Sequence, residues 1–455
     1  MAETSAVPWR EVFRGRRGRL TAGLLLLEAL FAVQALVVAT IMPDVRRDLG
    51  MVQLYGLAFT ATSLATIAAV PVAGRAVDRY GPATVLVPAL GSFAAGLLVS
   101  ATAPAMPVLL VGQFLQGAGA GALYTLSIGT IAKTYPDRMR ARVLALLASM
   151  WILPGLVGPG LGALIASTVG WRWAFVVPLP VLAIGWYLIG PALGEIPAAG
   201  QAEHLALRWP LQLMVGAGLA FTSMTLVRWW AIPIFAAGLA LAIPALTRIV
   251  PRGTFSVRPG LPAAAAAAFL LSLGFLAVDA FVTLMLTEVR GLSLGEASVA
   301  ITVATLTWAG GSAWQSGRTE RLALGRLLSI GVALVAVGEA GVATGLVVAV
   351  PVVVAYVGWA IVGAGMGISF PTIPLSAMRA SAVGEEAGQV SAVLLADMLG
   401  AATGAGLGGG MIATARAADA PVSAGLAGAF ALGIATMLVL LALARRIPGA
   451  APSEV

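Results

Sequence analysis

Gly74-Arg75-Ala76-Val77-Asp78-Arg79-Tyr80-Gly81 stands between two apolar runs, residues 54–77 and 83–103. Each run is long enough to cross a bilayer, whose hydrocarbon core of about 30 Å takes about 20 apolar residues as a helix. The stretch reads as a charged turn bracketed by glycines, in a short loop between the second and third hydrophobic segments. Backbone groups in lipid must find their partners within the segment, so the flanking runs are expected to be helices. The period-two alternation of a membrane β-barrel is absent.

The rest of the chain has the same character. Of 455 residues, 60% are hydrophobic and only 10% charged, against roughly 25% charged in a soluble domain. With a mean hydropathy of +0.97, the solvent for most of this surface must be lipid. The net charge of +8 does not indicate nucleic acid, because the basic residues are scattered through short loops with no aromatic groove beside them. Cysteine is absent, which excludes disulfides, a thiol nucleophile and a Cys metal site. His204, the single histidine, lies in a polar loop with no second ligand beside it. Arg14, Arg16, Arg17 and Arg19 precede the run 20–42. That run is too long for the apolar core of a signal peptide, and many more runs follow, so it reads as a retained first helix.

Fourteen apolar segments can be drawn: approximately 20–42, 54–77, 83–103, 106–132, 143–166, 173–193, 211–227, 230–249, 262–287, 297–315, 326–345, 347–374, 387–413 and 422–444. The seventh and eighth are short and joined by Arg228-Trp229-Trp230. With the N-terminus in the cytoplasm, only Arg46, Arg47, Arg172, Arg228, Arg290 and Arg416 fall outside, and the rest of the 27 Lys and Arg fall inside. This bias supports fourteen spans with both termini cytoplasmic. The chain also repeats itself. Gly117-Ala-Gly-Ala-Gly121 in the fourth segment is echoed by Gly363-Ala-Gly-Met-Gly367 in the twelfth, and Asp78-Arg79 weakly by Glu320-Arg321. The expected organisation is a six-helix bundle over 1–194, a loop with two inserted helices over 195–258, and a second six-helix bundle over 259–455. Parallel repeats of this kind are a transporter architecture with a central site between the halves. Glycines at such spacing also serve close helix packing.

The loop at Gly74, Asp78, Arg79 and Gly81 resembles the signature of the major facilitator superfamily of transporters, and the resemblance covers nearly the whole chain. The fourteen-segment arrangement resembles the drug:proton antiporter branch. The resemblance implies an all-α membrane protein of the major facilitator fold, in which this loop acts as a conformational latch on the cytoplasmic side. Pro82 and Ala83 stand where the family usually carries basic residues, which should weaken the latch. Pro154-Gly155-Leu-Val-Gly158-Pro159-Gly-Leu-Gly162, followed by Gly170-Trp171-Arg172-Trp173-Ala-Phe175, is similar to the antiporter motif of the efflux branches. Pro159 removes a backbone hydrogen bond and favours a kink, while Gly155, Gly158 and Gly162 admit a partner helix. One departure concerns coupling: Gln113 stands where the family pattern has an arginine, so an arginine-assisted proton relay cannot operate there.

An acidic side chain at mid-bilayer costs about 2.5–3.5 kcal/mol on insertion scales and is a functional candidate by default. Three fall deep in the spans: Glu28 in the first, Asp279 in the ninth and Asp397 in the thirteenth. Glu339 lies nearer an outer end and reads as interfacial. No Lys or Arg falls deep in a span. Apolar surroundings favour the neutral form of a carboxyl, so one such group can carry a proton or exchange it for a cation. The resemblance places Glu28 and Asp279 on cavity-lining helices, as proton-coupling or cation-binding residues. Asp397 is expected on a helix that packs between the halves, where a bond to a hydroxyl is the alternative. Gln34, Gln113, Gln116, Tyr124, Trp151, Phe281, Met285, Trp308, Trp359, Met366 and Phe370 are candidate cavity walls, since aromatics and methionines suit amphipathic ligands.

The expected function is multidrug efflux. The protein would be a secondary transporter in a bacterial inner or plasma membrane that exports hydrophobic or cationic small molecules by proton antiport. It would work as a monomer by alternating access, with protons and membrane lipids as its other partners. No cofactor beyond the proton gradient, no metal and no enzymatic activity is expected. A lipid or lipid-linked exporter with weak or no proton coupling is the alternative within transport. A non-transporting sensor or scaffold is the alternative outside it, though a scaffold would gain nothing from three buried carboxyls.

Overall fold

The computed structural model describes residues 12–49, 55–150, 152–194, 196, 207–224, 230–292, 294–380 and 386–444. In chain order the helices are α1 (Gly15–Leu49), α2 (Tyr55–Tyr80), α3 (Pro82–Ala101), α4 (Met106–Thr134), α5 (Asp137–Ser149), α6 (Ile152–Thr168), α7 (Trp173–Val176) and α8 (Pro178–Leu193). They continue with α9 (Arg208–Met224), α10 (Ala231–Ile249), α11 (Leu261–Leu284), α12 (Leu294–Ser316), α13 (Leu324–Ala343), α14 (Val353–Ala380), α15 (Glu386–Ala417) and α16 (Val422–Leu443). No strand occurs among the described residues. Ten of the described helical stretches are long and apolar enough to cross a membrane.

Helix ends follow local chemistry. The charged stretch at 74–81 is not a loop: α2 stays helical to Tyr80, and the reversal is made by Gly81 alone, at φ 85°. Only glycine adopts that angle without strain, and Pro82 then opens α3 with a φ already suited to a helix. The fifth apolar segment is also not one helix. It starts in α5, turns at Met150 and resumes as α6. Pro154 has no N–H to give to the Met150 carbonyl, which weakens the helix at this point and favours the break. The Arg228-Trp229 turn lies outside the described residues.

The chain forms two compact units, residues 1–214 with 382–391, and residues 215–381 with 392–455. In the first unit, α4 packs against both α2 and α3. Gly117 lies on the backbone of Thr62, Gly121 on Thr66, and Gly119 on Ala89 and Phe93. In the second unit, α14 packs against both α12 and α13. Gly363 lies on Ala304, Gly367 on Trp308, and Gly365 on Gly331 and Val335. Each contact in the second unit follows from one in the first by adding 242 on one helix and 246 on the other. The internal repeat is therefore a repeat of three-dimensional packing, down to the register of each glycine. Threonine hydroxyls bridge the same pairs: Thr66 donates to the Gly117 carbonyl at 2.9 Å and Thr307 to the Ala360 carbonyl at 2.7 Å. Between the repeats, α9 and α10 meet through Gly216 and Gly238, each against an alanine backbone of the other helix.

These close contacts make a test. A Cβ on Gly119 would lie 2.6 Å from the Phe93 nitrogen, and one on Gly365 2.6 Å from the Gly331 oxygen, whereas one on Gly91 meets nothing within 4 Å. Gly119→Ala and Gly365→Ala should each lower stability by about 1–3 kcal/mol, and Gly91→Ala should leave it unchanged or raise it by up to about 1 kcal/mol. Thermal unfolding in detergent checks the contrast.

Candidate functional site

Glu28 is buried in α1, and Asp279 is half-buried in α11. The packing shows that they occupy the same place in their repeats. On α1, Gly23 and Leu27 rest on Ile189 and Gly185 of α8. On α11, Gly274 and Val278 rest on Met437 and Gly433 of α16. The two sets are related by offsets of 251 and 248 residues, and the residues following Leu27 and Val278 are Glu28 and Asp279. Among the described residues Asp279 has no hydrogen-bond or ionic partner. Asp397, half-buried in α15, accepts a hydrogen bond from the Ser272 hydroxyl of α11.

Aromatic rings collect one turn from Asp279. Phe275, four residues earlier and so on the same face of α11, stacks on Trp359 at 5.7 Å and 3°. It meets Trp308 edge-on at 5.6 Å, and Trp308 meets Phe370 at 5.7 Å. Trp359 is buried, with no partner for its ring N–H among the described residues, while Trp308 and Phe370 are half-buried. Phe275 escaped the sequence reading because one phenylalanine among many apolar neighbours carries no signal of its own. Phe281 lies with its ring against Gly408. Met285 and Met366 are fully buried, Met285 against Gly345.

The glutamines of the first unit are buried and linked. Gln34 donates to Gln116 Oε1 at 3.4 Å, and Gln116 donates to the Ser100 hydroxyl at 2.9 Å. Thr62 donates to Gln113 Oε1 at 3.1 Å, which leaves the buried Gln113 amide N–H₂ without a partner among the described residues. Tyr124 is half-buried. Trp151 lies outside the described residues. In α6, Gly158 and Gly162 face Leu36 and Thr40 of α1. Gly155 and Pro159 lie in the same helix, and their surroundings fall outside the description.

At the end of α2, Gly74 and Asp78 are buried and Arg79 is half-buried. Asp78 pairs with Lys133, in the last turn of α4, at 2.9 Å, and both side chains are buried. Lys133 had counted only as one more inner positive charge. The repeat offsets carry Asp78 to Glu320 and Lys133 to Arg379, and that recurrence was the available signal. Opposite-end chemistry ties α1 to the start of α7. Asp48 accepts from Trp171 at 3.1 Å and from Arg172 at 2.6 Å, while Arg172 also donates to the Ala103 carbonyl. The Arg172 and Trp171 hydrogen bonds hold the Asp48 carboxyl below its ordinary value. The Trp-Arg tail of the fifth-segment motif thus has a structural partner that its own sequence does not show.

Glu339 is enclosed by protein. It is fully buried, although it lies four residues from the end of α13. A helical side chain leans toward its helix N-terminus, and this lean takes the carboxyl inward toward Gly433.

Two copies of one helical unit, each with a carboxyl at the equivalent place, define a transporter of the repeat type. The Major Facilitator Superfamily model matches residues 24–405, and the chain belongs to this superfamily of multi-pass membrane transporters. The chain is 30% identical over 233 residues to a probable multidrug-efflux transporter of Mycobacterium tuberculosis, covering 49% of each protein. It is 28% identical over 273 residues to a triacylglyceride transporter of Mycolicibacterium smegmatis, covering 56% of this chain and 49% of that one. The chain spans about half the length of these curated relatives. Its fold resembles that of the human organic anion transporter MFSD10, with a TM-score of 0.73 and 15% identity over 95% of this chain and 100% of the other. It also resembles that of the E. coli fucose:proton symporter, with a TM-score of 0.62 and 17% identity over 93% and 97%.

The Asp78–Lys133 pair carries a test. Removing one partner of a buried ion pair leaves an uncompensated charge, at a cost of about 3–5 kcal/mol. Lys133→Met should lose about that much stability, and Lys133→Met with Asp78→Asn should recover part of it. Unfolding curves of the three proteins in detergent decide the matter.

Proposed function

We propose that the protein exports lipophilic cations in exchange for protons, through fourteen spans with both termini in the cytoplasm and two six-helix halves that alternate access to a midplane site. The observation that carries this reading is the placement of Asp279. It is a carboxyl without a hydrogen-bond or ionic partner among the described residues, one helical turn from Phe275, whose ring stacks on Trp359 and meets Trp308 edge-on. A carboxylate beside aromatic faces suits an organic cation, since ring quadrupoles and the negative charge attract it together. A proton and a cation cannot both neutralise one carboxylate, and that competition is a sufficient basis for antiport. Glu28, at the equivalent place in the first repeat, is the second coupling candidate. The multidrug-efflux relative supports the substrate class.

Export of a neutral lipid is the second reading, favoured by Gln113. This buried amide at the usual arginine position is neutral, and its N–H₂, without a partner among the described residues, can serve an ester or hydroxyl oxygen. The triacylglyceride transporter relative points the same way.

Purified protein in liposomes under an imposed pH gradient separates the two. Gradient-driven flux of a lipophilic cation is expected, falling by about tenfold or more in Asp279→Asn, the equivalent of losing about 1.4 kcal/mol of cation binding. Glu28→Gln should reduce the dependence on the gradient. Transfer of a labelled neutral lipid with no response to the gradient, and no cation flux, would overturn the proposal.

A further inference from the structure

Glu339 has a setting unlike that of the other carboxyls. It is 0% exposed, and neither carboxyl oxygen has a hydrogen-bond partner among the described residues. It sits where α11, α13 and α16 converge. A Cβ on Gly433, midway along α16, would lie 3.3 Å from Glu339 Oε2 and 2.5 Å from Val278 Cγ2. The missing side chain at Gly433 therefore makes the space the carboxyl faces.

Packing does not require an acid here. Gly96 lies on Gly112 in the first unit as Gly338 lies on Gly358 in the second, at the offsets found throughout the repeat. The residue after Gly96 is Leu97, also 0% exposed. A leucine fills in one repeat the position that Glu339 fills in the other.

Among the described residues, neither oxygen of this carboxyl has a partner, and the nearest cation past α13, Arg290 after the π turn, donates instead to the Val347 and Val350 carbonyls. On the elements packed against α13, α16 carries no titratable residue, and α14 carries only Tyr356 and Arg379. The Tyr356 hydroxyl is turned to the Glu296 carbonyl at 2.9 Å, and Arg379 lies in the last turn of α14, at the far end from Tyr356. On α11 stands Asp279, which adds negative charge, and the following π turn adds Glu288. Arg326, in the first turn of α13 itself, is about 20 Å away along the helix. A buried charge without a partner is strongly disfavoured, so the carboxyl is compatible with this packing only as the neutral acid.

We propose that Glu339 is a proton-carrying residue of the second unit, protonated while α13 is packed on Gly433 and ionised when that contact opens. On opening, the O–H bond breaks, the proton passes to water and the carboxylate becomes hydrated. The reverse transfer restores the neutral acid before the helices close. This deepens the exchange reading above and rests on it: proton and cation compete at Asp279, and Glu339 supplies a second proton site apart from it.

Infrared spectra of wild type and Glu339→Gln in detergent at neutral pH test the protonation directly, without any transport assay. The difference spectrum should show the loss of one protonated-carboxyl carbonyl stretch. Loss of carboxylate bands instead would overturn the proposal. Glu339→Leu, which installs the residue of the first repeat, tests the carrying role in liposomes. It should unfold at or above the wild-type temperature and retain downhill cation flux. Its gradient-driven accumulation should fall by about tenfold, with a flattened pH profile. A Glu339→Leu protein with unchanged accumulation and pH profile would show a packing residue only. Absence of gradient-driven flux in wild type would instead remove the exchange reading itself, whatever the infrared result.

Discussion

In hydrocarbon, every backbone N–H and C=O must find its partner within its own segment, because no water is there to take the bond. Once the segments are helices, the hydrophobic effect no longer drives them together, since lipid is as apolar as leucine. What remains is close van der Waals approach, and that depends on where Cβ atoms are missing. Gly117, Gly119 and Gly121 set α4 onto α2 and α3, and Gly363, Gly365 and Gly367 set α14 onto α12 and α13 in the same register. The polar chemistry is then hung on this frame at repeat-related positions.

Much of the frame was legible beforehand. Apolar run length, the bias of Lys and Arg between loops, and the echo of the glycine runs all report on helices and repeats. Details that depend on which face a residue turns were not. Asp78 and Lys133 look like two loop charges until the helix ends bring them to 2.9 Å. The charged turn shrank to Gly81 because Arg75 to Tyr80 can remain helical at a membrane surface, where only a positive φ is needed to reverse the chain. Glu339 was placed by its distance from a helix end, but the lean of helical side chains carried it inward. The candidate cavity residues fared unevenly for a similar reason. Trp308 and Phe370 remain half-buried in the ring cluster that Phe275 joins, while Met285 is packed against Gly345.

Glu28 and Asp279 were expected on the first helices of their halves, but their common register was hidden, because the surrounding sequences of α1 and α11 differ and only their packing against α8 and α16 aligns them. That alignment changes how the carboxyls are read. They stand at the same packing position of two repeats, Glu28 buried and Asp279 half-buried. Asp397 is bonded to the Ser272 hydroxyl. Gln113 differs, as a neutral amide in a position where the family pattern has a cation, and it shifts the weight of any coupling onto the acids.

The central claim is that a proton and a cation compete for one carboxyl. Titrating a lipophilic cation into weakly buffered, detergent-solubilised protein while following the pH measures that competition without any gradient or membrane. The account predicts that binding releases protons and that affinity weakens as the pH is lowered. Binding with no proton release, and with an affinity independent of pH, would contradict it.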